Sequence, residues 1–277
     1  LRLISRSITA ARESRRVVRG LFPTVALAAL LAVTGCGAGA GAEGGRPAGA
    51  GGGAARTVTV FAAASLTESF TRLGADFEAA NPGVDVRFNF GSSATLAQQI
   101  VQGAPADVFA AASPATMKTV ADASLAANPV VFARNRLEIA LPAGNPAKID
   151  DLADLAGPGV KVALCAPQVP CGAAAAKALA AAGLKIVPVT LEQDVKATLT
   201  KVTLGEVDAA LVYRTDVLAA VGKVQGLPFP EAAQAVNDYP IAALAKAPSG
   251  DLAGRFVALV TSPQGRVVLT GAGFETP

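Results

Sequence analysis

The chain has 277 residues, 52% of them hydrophobic and 16% charged, which excludes a disordered chain and leaves room for one large domain or two medium ones. It holds no His, so a His-dependent triad, a His metal cluster and imidazole acid–base catalysis are excluded. Residues 1–35 carry six arginines and one glutamate; of 24 basic and 21 acidic residues, 18 and 20 remain beyond them, so the net charge of +3 becomes −2 and nucleic acid loses its electrostatic support as a partner.

Residues 1–35 read as an export signal, with an Arg-rich start followed by the apolar run Val25-Ala-Leu-Ala-Ala-Leu-Leu-Ala-Val33. That run is shorter than the ~20 residues a spanning helix needs. Val33-Thr34-Gly35-Cys36 resembles a bacterial lipobox, in which cleavage follows lipidation of the cysteine. A plain secretory signal with an incidental Cys36 is the alternative. Residues 36–56 then form a Gly/Ala-rich tether, too poor in buriable surface to fold. Nothing after Cys36 offers 18 uninterrupted apolar residues, so the body is expected to be soluble.

From Thr57 strands alternate with helices. Residues 57–62 are β-rich. Leu66, Phe70, Leu73 and Phe77 then mark a helical face that ends at Asn81-Pro82-Gly83. Ser65-Leu66-Thr67-Glu68 has the spacing of a capping box. A strand over 84–90, a helix from Thr95, a strand over 107–111 and a helix from Pro114 follow. Further strands are expected at 137–141, 160–165, 186–189, 209–213 and 241–244, and helices at 172–182, 195–204, 216–221 and 252–260. This alternation predicts parallel sheets covered on both faces, with ligands at the carboxyl ends of strands.

Four strand-to-helix turns hold small or uncharged residues where a helix begins: Ala64-Ser65-Leu66, Gly91-Ser92-Ser93-Ala94-Thr95, Val169-Pro170-Cys171-Gly172 and Gln193-Asp194-Val195. Each helix start offers unpaired N–H donors and roughly half a positive charge, so four that converge would suit a dianion. Convergence does not follow from their presence, and serines at such positions ordinarily cap helices. Tyr213 fits equally as a strand-end residue packed into a core. An exported serine hydrolase using Ser65 lacks a base, since there is no His and no Ser-x-x-Lys.

Thr57-Val-Thr-Val-Phe-Ala-Ala-Ala-Ser-Leu-Thr67 resembles the opening of the periplasmic molybdate-binding proteins of ABC importers. So do Gly91-Ser-Ser-Ala-Thr-Leu-Ala-Gln-Gln-Ile100, Gly103-Ala-Pro-Ala-Asp-Val-Phe109 and Leu211-Val-Tyr213, in order and over the whole body. The resemblance implies an α/β, two-lobed periplasmic-binding-protein fold, with a ligand cleft between lobes joined by two crossing segments. Residues 57–136 with 238–277 would form lobe 1, residues 137–237 lobe 2, and the crossings would lie near 131–137 and 235–239. It also implies an oxyanion held by Ser65, Ser93, Cys171, Val195 and Tyr213, with hydroxyls from Ser65, Ser93 and Tyr213 and backbone N–H groups from Cys171 and Val195. Molybdate or tungstate would be gripped through its oxygens, with no direct ligand to the metal, no cofactor and no catalysis. Sulfate on the same scaffold, or an oxyanion sensor docking with a receptor, are the alternatives. The expected partners are the permease subunits of an ABC importer, with the protein a monomer, exported and lipid-anchored to the outer face of the cytoplasmic membrane through Cys36.

Cys171 stands where the family usually has alanine, which a backbone donor tolerates. In an exported chain the simplest fate of Cys165 and Cys171 is to pair with each other; two free buried thiols are the alternative. So short a loop would gain ~2 kcal/mol at most.

Overall fold

The computed structural model describes residues 56–277; the leader, Cys36 and the tether lie outside the described residues. The first part of the chain runs β1 (Arg56–Ala63), a 3-10 turn (Ala64–Leu66), α1 (Thr67–Ala80), β2 (Val84–Gly91), α2 (Ser93–Val101), β3 (Val108–Ala110), α3 (Pro114–Asp122) and β4 (Val130–Asn135). After Arg136 come β5 (Leu137–Pro142), β6 (Val162–Cys165), α4 (Pro170–Ala181), β7 (Thr190–Glu192), α5 (Val195–Thr203), β8 (Ala209–Tyr213), α6 (Arg214–Ala219) and β9 (Val224–Leu227). A 3-10 segment, Pro230–Ala235, leads to β10 (Asn237–Ala243), α7 (Gly250–Thr261) and α8 (Pro263–Gly271).

These strands make two five-stranded sheets, ordered β2-β1-β3-β10-β4 and β7-β6-β8-β5-β9. The chain leaves the first sheet at Arg136, builds the second, and returns at β10. Both sheets are mixed, which corrects the expectation of parallel sheets. β1 pairs parallel with β2 and β3, but β10 runs antiparallel to β3 and β4, and β5 runs antiparallel to β8 and β9. The physical reason is the crossing itself. Strands that carry the chain between sheets enter each from the opposite end to the strands closed by helical crossovers.

The strand expected at 186–189 lies instead at Thr190–Glu192. Pro188 has no N–H for a ladder, and Val187 and Val189 face solvent. β4, β9 and α8 were not anticipated as elements. The capping box is also corrected. The residue before α1 is Leu66, without a side-chain cap; Ser65 sits within the preceding 3-10 turn, and its hydroxyl bonds to Tyr239 instead.

The cores beneath the two sheets differ in kind. Under the first, Phe70, Phe77 and Phe256 are buried with Phe88 packed against them, and the Phe256 ring meets those of Phe70, Phe77 and Phe88 edge-on at 6.0, 5.5 and 6.2 Å. α1 supplies Phe70 and Phe77 from the face that period 3.6 predicts. Under the second sheet the core is mainly Ala, Val, Leu and Ile, and α4 lies close by presenting Ala174, Ala175 and Ala178.

Truncating Phe256 removes the ring shared by three edge contacts. Phe256→Ala is expected to lower the unfolding free energy by about 3–5 kcal/mol, read as a fall in urea midpoint at unchanged slope.

Candidate functional site

The 3-10 turn after β1 and the first turns of α2, α4 and α5 open onto one cavity of about 20 Å³, the scale of a single compact guest. Ser65, Ser92 and Ser93 line it from the carboxyl ends of β1 and β2. Cys171, Val195 and Tyr213 line it from the ends of β6, β7 and β8. All five residues singled out from sequence therefore surround the same space, between the two sheets, and the four helical turns converge. Each is less than a tenth exposed.

The backbone donors follow from local chemistry. Pro170 opens α4 without an N–H, leaving Cys171 as the first donor of that helix. Gly172 comes next because a Cβ there would overlap the carbonyl oxygen of Ala166, so the helix start can press against the end of β6. Cys165 and Cys171 are joined by a disulfide at the same place, with Cα atoms 5.7 Å apart. α5 starts at Val195, and the Asp194 carboxylate caps it by accepting from Ala197 N at 2.9 Å, leaving the Val195 N–H unspent. Asp194 is the one formally charged residue on the wall.

The hydroxyls are oriented by what lies behind them. Ser93 is the first residue of α2, not its cap, and its Oγ accepts the Ala112 N–H at 3.0 Å. Tyr213 OH accepts from Asn237 Nδ2 at 2.8 Å, and the same amide donates to Ala112 O at 2.7 Å. Asn135 Nδ2 donates to Thr215 Oγ1 at 2.9 Å and, more weakly, to Tyr239 OH at 3.5 Å; Tyr239 OH in turn lies 2.9 Å from Ser65 Oγ. The Ser93 and Tyr213 hydroxyls thus each receive a hydrogen bond from behind, which leaves their own hydrogens for the cavity, whereas Ser65 and Tyr239 share one in which either hydroxyl can donate. Burial pushes both phenols up, Tyr213 well above its ordinary value and reinforced by Tyr239 and Asp216, so both remain protonated donors.

Behind this wall sits an ion cluster that the turn motifs did not reveal. Lys196 Nζ lies 2.7 Å from Glu68 Oε1, on α1, and 3.2 Å from Asp216 Oδ1, on α6. Asp216 is fully buried, and its other oxygen accepts the Tyr213 N–H at 3.3 Å. Burial raises Asp216 to about 6 against the opposing pull of Lys196. Burial alone would lower Lys196, yet the field of Asp216 and the bond to Glu68 outweigh it and leave the ammonium raised. Asn135, Asn237 and Tyr239 were likewise not singled out, and Ser92 was named only as part of its turn. Among the described residues no cluster of three Cys, Asp or Glu could hold a metal ion.

The family described as bacterial extracellular solute-binding protein matches residues 58–275. The molybdate-binding protein ModA of Mycobacterium tuberculosis is 48% identical over 224 residues, covering 80% of this chain and 86% of the relative. Among solved structures, the periplasmic molybdate-binding protein of Azotobacter vinelandii superposes with a TM-score of 0.70 at 22% identity, over 79% of this chain and 99% of its own. The sulfate-binding protein SubI of M. tuberculosis does so with 0.70 at 21%, over 80% and 87%. These neighbours are two-lobed, and they share the fold.

Asp216 generates a test. Its raised carboxyl gives a contribution to folding that is complete below its ordinary value of 3.8 and is lost as pH rises through about 6. Between about pH 4 and pH 6.5 the unfolding free energy of the protein is expected to fall relative to that of Asp216→Asn, by on the order of 2 kcal/mol, measured by denaturant titration across pH.

Proposed function

The chain belongs to the bacterial extracellular solute-binding protein family, and from that membership we propose that it binds molybdate, and with it tungstate, for delivery to an ABC importer. What carries the substrate is the wall of donors. The Ser93 and Tyr213 hydroxyls have their hydrogens left for the cavity, Ser65 lines it beside them, and the N–H groups of Cys171 and Val195 add to them. A fully deprotonated tetrahedral oxyanion accepts from every direction and needs no acceptor in return. Hydrogen phosphate brings a proton for which the wall has a single carboxylate acceptor, Asp194, already engaged in capping α5. Sulfate is smaller, so a wall spaced for molybdate would hold its oxygens less closely. The relative at 48% identity is named for molybdate, which supports this choice.

The mechanism follows from where the donors come from. Ser65 and Ser93 belong to the first sheet's side, and Cys171, Val195 and Tyr213 to the second's. An oxyanion bonded to both sides favours the arrangement in which they stand close, and a permease that recognises this arrangement takes delivery only from loaded protein. We assign Cys36 to lipidation and the stretch after it to a leash that keeps a monomeric body near that permease.

Calorimetry with molybdate, tungstate, sulfate and phosphate tests the substrate. Tight one-to-one binding of the first two, with the others weaker by about a hundredfold or more, is expected; preference for sulfate or phosphate overturns the assignment. Ser65→Ala, Ser93→Ala and Tyr213→Phe each remove one charge-assisted hydrogen bond and are expected to weaken molybdate by about 10- to 100-fold. Unchanged affinity in all three, with folding intact, defeats the site.

A further inference from the structure

Ser92 occupies the residue before α2, where a serine ordinarily caps the helix by accepting a hydrogen bond from one of the first free N–H groups. Its backbone does open the helix, with Ser92 O accepting from Leu96 N at 2.9 Å. Its side chain makes no cap bond. The residue is only 7% exposed, and its Oγ is buried without a hydrogen-bond partner among the described residues. Ser92 lines the same cavity as Ser65, Ser93 and Tyr213.

A buried hydroxyl without a partner destabilises the fold, and native structures rarely keep one without a use. The ordinary use at this position, capping, is not made. The partner that would satisfy this oxygen is a guest in the cavity it lines. We propose that Ser92 Oγ is a further hydroxyl donor to the bound oxyanion, beside Ser93 on the same turn. The proposal rests on the reading that the cavity holds a tetrahedral oxyanion, and it adds a ligand that the resemblance to known oxyanion binders did not supply.

Ser92 differs from the other three hydroxyls in one respect. Ser93 is backed by Ala112 N, Tyr213 by Asn237 and Ser65 by Tyr239, whereas nothing backs Ser92. Its hydrogen is therefore free to turn. The three backed donors fix where a guest's oxygens sit, and Ser92 adjusts to the guest so placed.

The test exploits opposite signs. In Ser92→Ala the ligand-free protein loses a buried orphan and no cap bond, so its melting temperature is expected to hold or rise. Its molybdate dissociation constant is expected to rise about tenfold, the scale of one hydrogen bond to an anion. Ser92→Thr keeps a hydroxyl on the same backbone and is expected to bind more tightly than the alanine variant. A molybdate affinity unchanged in Ser92→Ala overturns the proposal, whether the melting temperature stays or falls; a fall would make the residue a cap after all. Alanine and threonine variants equally weakened would also overturn it, since the loss would then not follow the hydroxyl. Failure of the unaltered protein to bind molybdate is a separate result, and it would remove the oxyanion reading itself.

Discussion

An anion taken out of water into a cavity without a cation keeps its charge only if hydrogens point at it from several sides. The wiring behind the Ser93 and Tyr213 hydroxyls answers that demand. A hydroxyl alone is ambivalent, able to donate or accept. Once an amide or N–H donates to its oxygen, the hydroxyl hydrogen must look elsewhere, and here the remaining direction is the cavity. The burial that raises both phenols keeps them donors at any physiological pH.

This wiring is anchored where the chain passes between the sheets. Asn135 ends β4 and Asn237 begins β10, and the two stand opposite each other in the antiparallel ladder. Each is buried, and each spends its amide on groups from both sides: Asn135 on Tyr239 and Thr215, Asn237 on Ala112 and Tyr213. The crossing that makes both sheets mixed is thus also the place from which the donors are oriented. The second side is stiffened in a different way. The Cys165–Cys171 bridge and the contact that only Gly172 permits hold the start of α4 against the end of β6, so the Cys171 N–H has a fixed position.

Much of this was legible before the structure, and the parts that were not share a cause. Phe70, Leu73 and Phe77 announced α1 because a helix face repeats locally, and the four turns were visible because a helix start depends on neighbouring residues. Local signals misled where a distant partner decided. Ser65-x-x-Glu68 looked like a capping box, yet Ser65 is claimed by Tyr239 and Glu68 by Lys196, residues 174 and 128 positions away. The 186–189 run looked like a strand, but Pro188 shifted the ladder to Thr190–Glu192. Tyr239, Asn135 and Asn237 carried no local sign of their part, since their roles exist only once the two sheets face each other. The antiparallel strands were missed likewise, because a chain that leaves one sheet and later returns writes nothing periodic in its sequence.

The charge arrangement around the cavity has its own logic. Lys196 follows directly on Val195, close enough in the chain to serve as a cation for an anion, yet its ammonium is spent on Glu68 and Asp216. With both carboxylates ionised that cluster sums to −1, which disfavours a nearby anion; protonating Asp216, raised to about 6, brings it to neutrality. The wall therefore does not attract by net charge, and a strong positive field would have drawn sulfate, phosphate and carboxylates alike. Attraction comes from partial charges at helix starts and from oriented hydrogens, whose energy falls steeply with a small error in distance or angle. A site built on such donors discriminates by the size and protonation of its guest, where a site built on a lysine would discriminate mainly by charge.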